Sequence, residues 1–379
     1  MNRSVSCVLL LITAACVEDP VIPLEAVPAG GRSVRIAEGH DGKTIWDPKN
    51  GWWPRVAISQ DGMVHVAWCN AHIGRVMYAQ RQQDGEWKTE TVDAAPGAGR
   101  YLAMTLDQEG HPLLTYQVQE KGLFRLTRRV ENTWKMEVIK KADGIGRATQ
   151  FAFDDRGGIH LVYYDVDRGF WHSHRDKVGL WSHHLIENTV QGNHLSRPAF
   201  HRFDDGRLLV YFADNRYTQT HMMRAERPKG GTDWTVKRVA EDYGPGYQIG
   251  FAGPADDPTR ELLFTITGKQ SLALAKAEQL DDEKVFLEKV SSMALRRDPK
   301  GRLVILGSGG RMDRSDLGQR LYLIRHDPRK GRLRHFRIGM PMGAMHLDHA
   351  VADDGTVWSV YTADQDGSLF VHQLPPFKE

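Results

Sequence analysis

The sequence predicts an all-β protein: a seven-bladed β-propeller of four-stranded blades, its ring closed by an N-terminal strand. Three observations carry this expectation. The chain repeats one unit, in which two short apolar strands flank an Asp/Gly turn and a polar loop leads to a third strand and a Trp-led fourth. The tryptophans opening that fourth strand, Trp87, Trp134, Trp181 and Trp234, fall 47, 47 and 53 residues apart. The last copy has only three strands, while a lone strand-like run, "SVRIAEG" (Ser33 to Gly39), stands ahead of the first copy.

The copies follow in order. The first four contain "PRVAISQDGMVHVAWCN", "RYLAMTLDQEGHPLLTYQV", "RATQFAFDDRGGIHLVYYD" and "RPAFHRFDDGRLLVYFAD". Two weaker copies surround "ELLFTITGKQSLALAKAEQ" and "DPKGRLVILGSGG", and "HLDHAVADDGTVWSVYTADQDGSLFVHQL" ends the series. Pairing that last copy with the Ser33–Gly39 strand removes both exposed sheet edges, which is why a closed ring is expected. The one stretch with helical composition, "AKAEQLDDEKVFLEKV", falls where a third-to-fourth-strand turn belongs.

Composition is that of a globular chain: 379 residues, 41% hydrophobic and 26% charged. The formal net charge is only +2 and the 50 Lys and Arg are spread along the chain, so a nucleic-acid surface has no support. The opening "MNRSVSCVLLLITAACVEDP" reads as an export signal over residues 1–15, too short to stay as a membrane span. "TAAC" resembles a bacterial lipobox, which implies lipidation at Cys16; a plain cleaved signal is the alternative. Residues 16–32 then form a Pro-rich tether and 33–379 the propeller. Val17 in place of Asp favours an outer-membrane or cell-surface location for such a lipoprotein. Of three cysteines only Cys69 lies in the folded body, as a buried small hydrophobe.

The wording "GRY…LD…GHP" and "GIHLVYYD" resembles the repeat of secreted bacterial propellers of the sialidase-like (BNR-type) superfamily. The resemblance covers most of residues 33–374 and implies the fold rather than an activity, because propellers host many functions. Sialidases carry S-x-D-x-G-x-T-W turns, and here "QDGEW" (Gln83 to Trp87) is a shortened remnant. They also carry F-R-I-P near the start of the domain, whereas "FRIG" at Phe336 lies near the other end without the proline.

Candidate site residues sit where loops open around the central channel. Arg100, Arg147 and Arg197 begin the innermost strands of consecutive blades, so they are expected to converge as three cations suited to a carboxylate or sulfate. The competing reading pairs them with acidic residues such as Asp165 or Asp214. Those two, with Asp364 and Asn70, recur at the end of the second strand and read as turn caps. Asn193, His194, Arg216, Tyr217, Tyr243 and Tyr247 do not recur. Of these, Asn193 and Arg216 are candidate ligand contacts. His194, Tyr217, Tyr243 and Tyr247 are candidate acid–base groups, because a polysaccharide lyase needs a base, an acid and a cation for the uronate. Trp52 and Trp53 read either as a sugar-stacking platform or as a seal between blades.

Histidines number 17, yet "WHSH" (His172, His174) and "HLDH" (His346, His349) show no third donor at metal spacing, so no metal and no cofactor is expected. The functional expectation is an exported, lipid-anchored monomer that binds a glycan or an envelope protein without catalysis. The alternative is a lyase or glycosidase acting on an acidic polysaccharide.

Overall fold

The computed structural model describes residues 24–25, 32–38, 51–188, 197–214, 221–240, 245–266, 271–288, 290–309, 320–327, 332–338, 344–363 and 367–376. These form seven antiparallel sheets in a ring. Blade 1 is typical, with strands Trp52–Ile58, Val64–Asn70, Arg75–Arg81 and Trp87–Asp93 running from the channel outward. The inner strands of blades 2 to 7 are Ala98–Leu106, Ile145–Phe153, Ala199–Arg202, Pro245–Phe251, Val290–Arg297 and Ala344–Val351.

Closure is as expected: Arg32–Ala37 pairs antiparallel with Leu369–Leu374, which otherwise would be the bare outer edge of blade 7. Leu24–Glu25 adds a short parallel pairing to the outer strand Arg332–Ile338 of blade 6. Helix is confined to two single 3₁₀ turns among the described residues, Gln119–Lys121 and Pro258–Arg260. The stretch with helical composition is a hairpin in its described residues, with a turn at 277–278 and Gln279–Glu288 pairing back on Ser271–Lys276.

Second strands are buried on both faces, as in "LVYYD" of blade 3, because each sheet is covered by its neighbours. Each of seven hydrophobic clusters joins two adjacent blades, and one of them, Val56, Trp68, Trp358 and Val360, joins blade 7 to blade 1. The core is therefore a ring of interfaces. The marker tryptophans explain their own periodicity, since three of the four lean on a ring of the preceding blade, Trp87 on Trp358, Trp134 on Tyr78 at 5.1 Å, and Trp234 on His172 at 5.5 Å, and Trp181 packs against the core between blades 2 and 3.

Cys69 is buried as expected, its thiol pushed up to about 12 by burial. Two glycines set how closely blades approach. Gly99 (φ 106°) and Gly146 (φ 85°) lie in backbone regions that L side chains avoid, and Cβ atoms there would lie 2.8 Å from Cys69 Sγ and 2.5 Å from the Phe124 ring. Gly146→Ala is expected to destabilise by about 2–4 kcal/mol, through backbone strain and overpacking together. Gly157→Ala, with a φ of 80° but open space around it, should cost only the strain part. Chemical denaturation of both variants measures the difference; equal losses would remove the contact with Phe124 from the account.

Candidate functional site

Directly after those glycines come Arg100 and Arg147, in matching register on neighbouring inner strands: Arg100 pairs with Gln117 and Arg147 with Tyr164. Each strand bulges at the next residue, and that residue is left-handed in four successive blades: His346 (φ 43°), Trp53 (49°), Tyr101 (57°) and Ala148 (54°). A left-handed non-glycine residue costs about 1–2 kcal/mol. Such residues persist where packing over-determines them, and they cluster at ligand clamps.

The bulges build a rim of rings. His346 lies 5.8 Å from Trp52 and 5.9 Å from Trp53, Trp53 meets Trp52 edge-on at 5.1 Å, and Tyr101 lies 5.3 Å from Trp53. Both arginines then converge on Tyr101, Arg100 at 5.1 Å and Arg147 at 4.8 Å from its ring centre. Neither guanidinium forms an ion pair or hydrogen bond with the described residues, and Nε of Arg147 is buried without a partner. Burial, with the neighbouring Arg100 charge adding to it, pulls the Arg147 guanidinium below its usual range.

Arg197 stands apart from that pair. It lies two residues ahead of the inner strand Ala199–Arg202 and bridges Gln248 of blade 5. Its charge is felt by Arg55 of blade 1, Arg296 of blade 6 and Asp348 of blade 7. Those blades are not all neighbours, so the four side chains meet across the channel. Only one close pair forms, Arg296 Nη2 to Asp348 Oδ1 at 2.7 Å; the Val56 amide donates to Oδ2 at 3.4 Å. Asp348 is 1% exposed, and the surrounding guanidinium groups hold its carboxyl below the usual range despite burial. Burial and mutual repulsion lower Arg55 and Arg197. Three cations against one anion leave the channel beneath the rim net positive among the described residues.

The Arg–Asp pairing with Asp165 does not form. Asp165 accepts the Asp167 amide at 3.2 Å as a turn cap, burial raises its carboxyl, and the nearest cations are Lys140 and Arg168. Asn70 likewise caps Ile73 at 3.4 Å, and Asp214 is buried. Trp52 and Trp53 are half-buried, Trp53 against the blade 1–2 core, so they both seal the interface and edge the rim. Asn193, His194, Arg216, Tyr217, Tyr243, Asp364 and Cys16 lie outside the described residues, as does the side chain of Tyr247.

The histidine expectation changes. His346 and His349 have separate surroundings, His346 against Trp52 and Trp53 and His349 Nε2 donating to the Val304 carbonyl at 2.9 Å. The "WHSH" pair itself does not come together on a common point; instead the fold brings Asp154 from the first turn of blade 3 and His160 from the neighbouring strand to His174 alone. A cleft of about 440 Å³ on that same turn side, between blades 2 and 3, is lined by Asp107, Arg128, Glu137 and Arg175. Two of its arginines are already paired, Arg128 with Asp107 at 2.5 Å and Arg175 with Glu137 at 2.7 Å.

Tyr101, Arg55, Arg296 and Asp348 were not singled out by the sequence, and His346 was weighed there only for a metal site. The usable signal was Gly-x-Gly-Arg, "GAGRY" and "GIGRA", which marks a bulged inner strand.

No protein-family model matches the sequence, and a comparison with curated proteins finds no match. Solved structures show the fold. A fungal alcohol oxidase of the AA5 family, in complex with copper, superposes with a TM-score of 0.58 at 12% identity, over 91% of this chain and 76% of that one. A protein of unknown function from Dyadobacter fermentans gives 0.52 at 12% identity, over 92% and 100%. The α-L-arabinanase of Penicillium chrysogenum, complexed with arabinobiose, gives 0.50 at 11% identity, over 90% and 97%. This chain is a seven-bladed β-propeller.

Proposed function

We propose that the protein is an exported, lipid-anchored propeller, akin to the sialidase-like superfamily, that binds an acidic glycan at the channel mouth without cleaving it. The observation that carries this reading is the pair of unpaired guanidinium groups on Tyr101, beside Trp53 and above a net-positive channel. Arginine forks match a uronate carboxylate or a sulfate ester bidentately, and an aromatic edge takes the apolar face of a sugar ring. A propeller of the same fold complexed with arabinobiose is consistent with a glycan at such a mouth. Export and anchoring rest on residues 1–16, whose lipidation at Cys16 would hold the propeller at the outer membrane or cell surface.

The test is a glycan-array screen of the chain from Gly31 onward, followed by titration of the best acidic hit. Arg147→Ala is expected to weaken binding by about 1.5–3 kcal/mol, roughly 10- to 100-fold, the worth of hydrogen bonds to a charged group. Affinity should also fall as salt rises. Binding that Arg147→Ala leaves intact would remove the mouth arginines from the reading, and release of shortened glycan would replace it with an enzyme.

A further inference from the structure

On the face opposite the mouth, the first turn of blade 3 differs from its counterparts. In blades 2 and 6 the turn aspartate uses Oδ1 to cap two amides: Asp107 those of Glu109 (3.0 Å) and His111 (2.8 Å), Asp298 those of Lys300 (3.0 Å) and Arg302 (2.9 Å). Oδ2 is then neutralised by an arginine, Arg128 at 2.5 Å and Arg302 at 2.6 Å. In blade 3 the cap is the same, with Asp154 Oδ1 accepting from Arg156 (2.9 Å) and Gly158 (2.7 Å). Its Oδ2 faces two imidazoles instead, His174 Nε2 at 3.2 Å and His160 Nε2 at 3.8 Å.

We propose that Asp154 Oδ2, His160 Nε2 and His174 Nε2 form a site for one borderline divalent cation, Zn²⁺ by its ligand set, with the remaining coordination position open to solvent. The three donor atoms lie within 4.8 Å of one another. A tetrahedral ion bound at about 2.0–2.1 Å needs donors about 3.3 Å apart, so small side-chain shifts complete the site. The histidines are cross-strand partners whose rings stack at 4.2 Å, which aligns both Nε2 atoms toward the same carboxylate oxygen. Gly158 keeps the space clear, because a Cβ there would collide with Asp154 Oδ2 and crowd His174 Nε2. Burial holds His160 neutral, with its pKa lowered to about 3, leaving an imidazole free to ligate. Asp154 and His160 are little exposed, whereas His174 reaches solvent, which supplies the route in.

A second layer orients the first. His172, 0% exposed, places Nε2 3.0 Å from His160 Nδ1, and Arg227 Nη1 lies 3.4 Å from His172 Nδ1. Arginine only donates, so without metal His172 accepts from Arg227 and carries its proton on Nε2, directed at His160. A cation on His160 Nε2 requires the reverse: His160 keeps its proton on Nδ1 and gives it to His172 Nε2, and the long Arg227 contact is released. Arg227 therefore opposes metal binding, both by its charge and by the proton arrangement it favours.

The test is titration of Zn²⁺, and of Co²⁺ as a spectroscopic substitute, into untagged, chelator-treated full chain. One tight site per chain is expected, with the visible bands of low-coordinate Co²⁺. Asp154→Asn, which keeps the turn cap, and His174→Ala should each abolish those bands while far-UV circular dichroism stays unchanged. Arg227→Met should tighten Zn²⁺ binding. No stoichiometric site in the wild type, bands that survive both ligand variants, or unchanged or weaker binding in Arg227→Met would overturn the proposal.

Discussion

Lowering the pH from 6.5 to 4 in chelator-treated buffer is expected to unfold the protein. Four fully or nearly fully buried histidines drive this: His349 and His160, each lowered to about 3, His65, lowered to about 4, and His172, lowered well below the usual imidazole range, in every case chiefly by burial. Their neutral forms are tied into the fold. His65 bonds Tyr78 Oη at 2.6 Å and Ser59 Oγ at 3.2 Å, and His349 bonds the Val304 carbonyl. The sign follows from linkage. In the unfolded chain a histidine takes up a proton near pH 6.5, whereas in the folded chain each of these does so only near 4 or below. Between those values the unfolded state binds more protons, so stability present above pH 6.5 is lost as pH falls. Each group costs about 1.4 kcal/mol per pH unit, and four together about 5.5 kcal/mol per unit. Against a usual margin of about 5–15 kcal/mol, unfolding falls between about pH 5 and 4. Depressed carboxylates such as Asp348 add to the loss only below about pH 4. Thermal melts followed by tryptophan fluorescence from pH 8 downward measure this. A melting temperature flat from pH 7 to 4.5 would show that these histidines protonate without opening the fold, and His349→Gln should make the slope shallower by about a quarter.

Asp348→Asn carries the other large effect. It leaves Arg55, Arg197 and Arg296 facing one another across the channel with no described carboxylate among them. Removing one partner of a buried ion pair costs about 3–5 kcal/mol, because the charge left behind is uncompensated. The Arg296 side chain is 42% exposed, which places the expected loss near the lower end, about 3 kcal/mol. Denaturant unfolding measures it, and added sulfate should recover part of the loss by screening the arginines. A loss under about 1 kcal/mol would mean that water in the channel already screens the cations.

Much of this molecule is legible in its sequence because a propeller is written locally. Each blade is a run of adjacent antiparallel strands, so alternation, Asp/Gly turns and a Trp-led fourth strand recur at a readable period. The missing strand of the last copy and the lone strand near Arg32 point to closure for the same reason: an open sheet edge is costly. Arg100 and Arg147 could be picked out because they recur in register behind a glycine. What only the tertiary structure decided is which residues meet across that ring. The aromatic rim of His346, Trp53 and Tyr101 depends on left-handed bulges in blades 7, 1 and 2, and a bulge shifts register by one residue without changing composition. Arg197 looked equivalent to Arg100 and Arg147, yet it stands ahead of its inner strand, bridged to blade 5, and its charge meets Arg55, Arg296 and Asp348, residues far apart in the chain. Asp154 read as a turn residue and His160 as a strand residue, and both are; that they converge on His174 follows from the pairing of two strands and one turn. Strand periodicity records which face a side chain takes, while distances between side chains of different strands are set by register, bulge and blade packing, which no local pattern encodes.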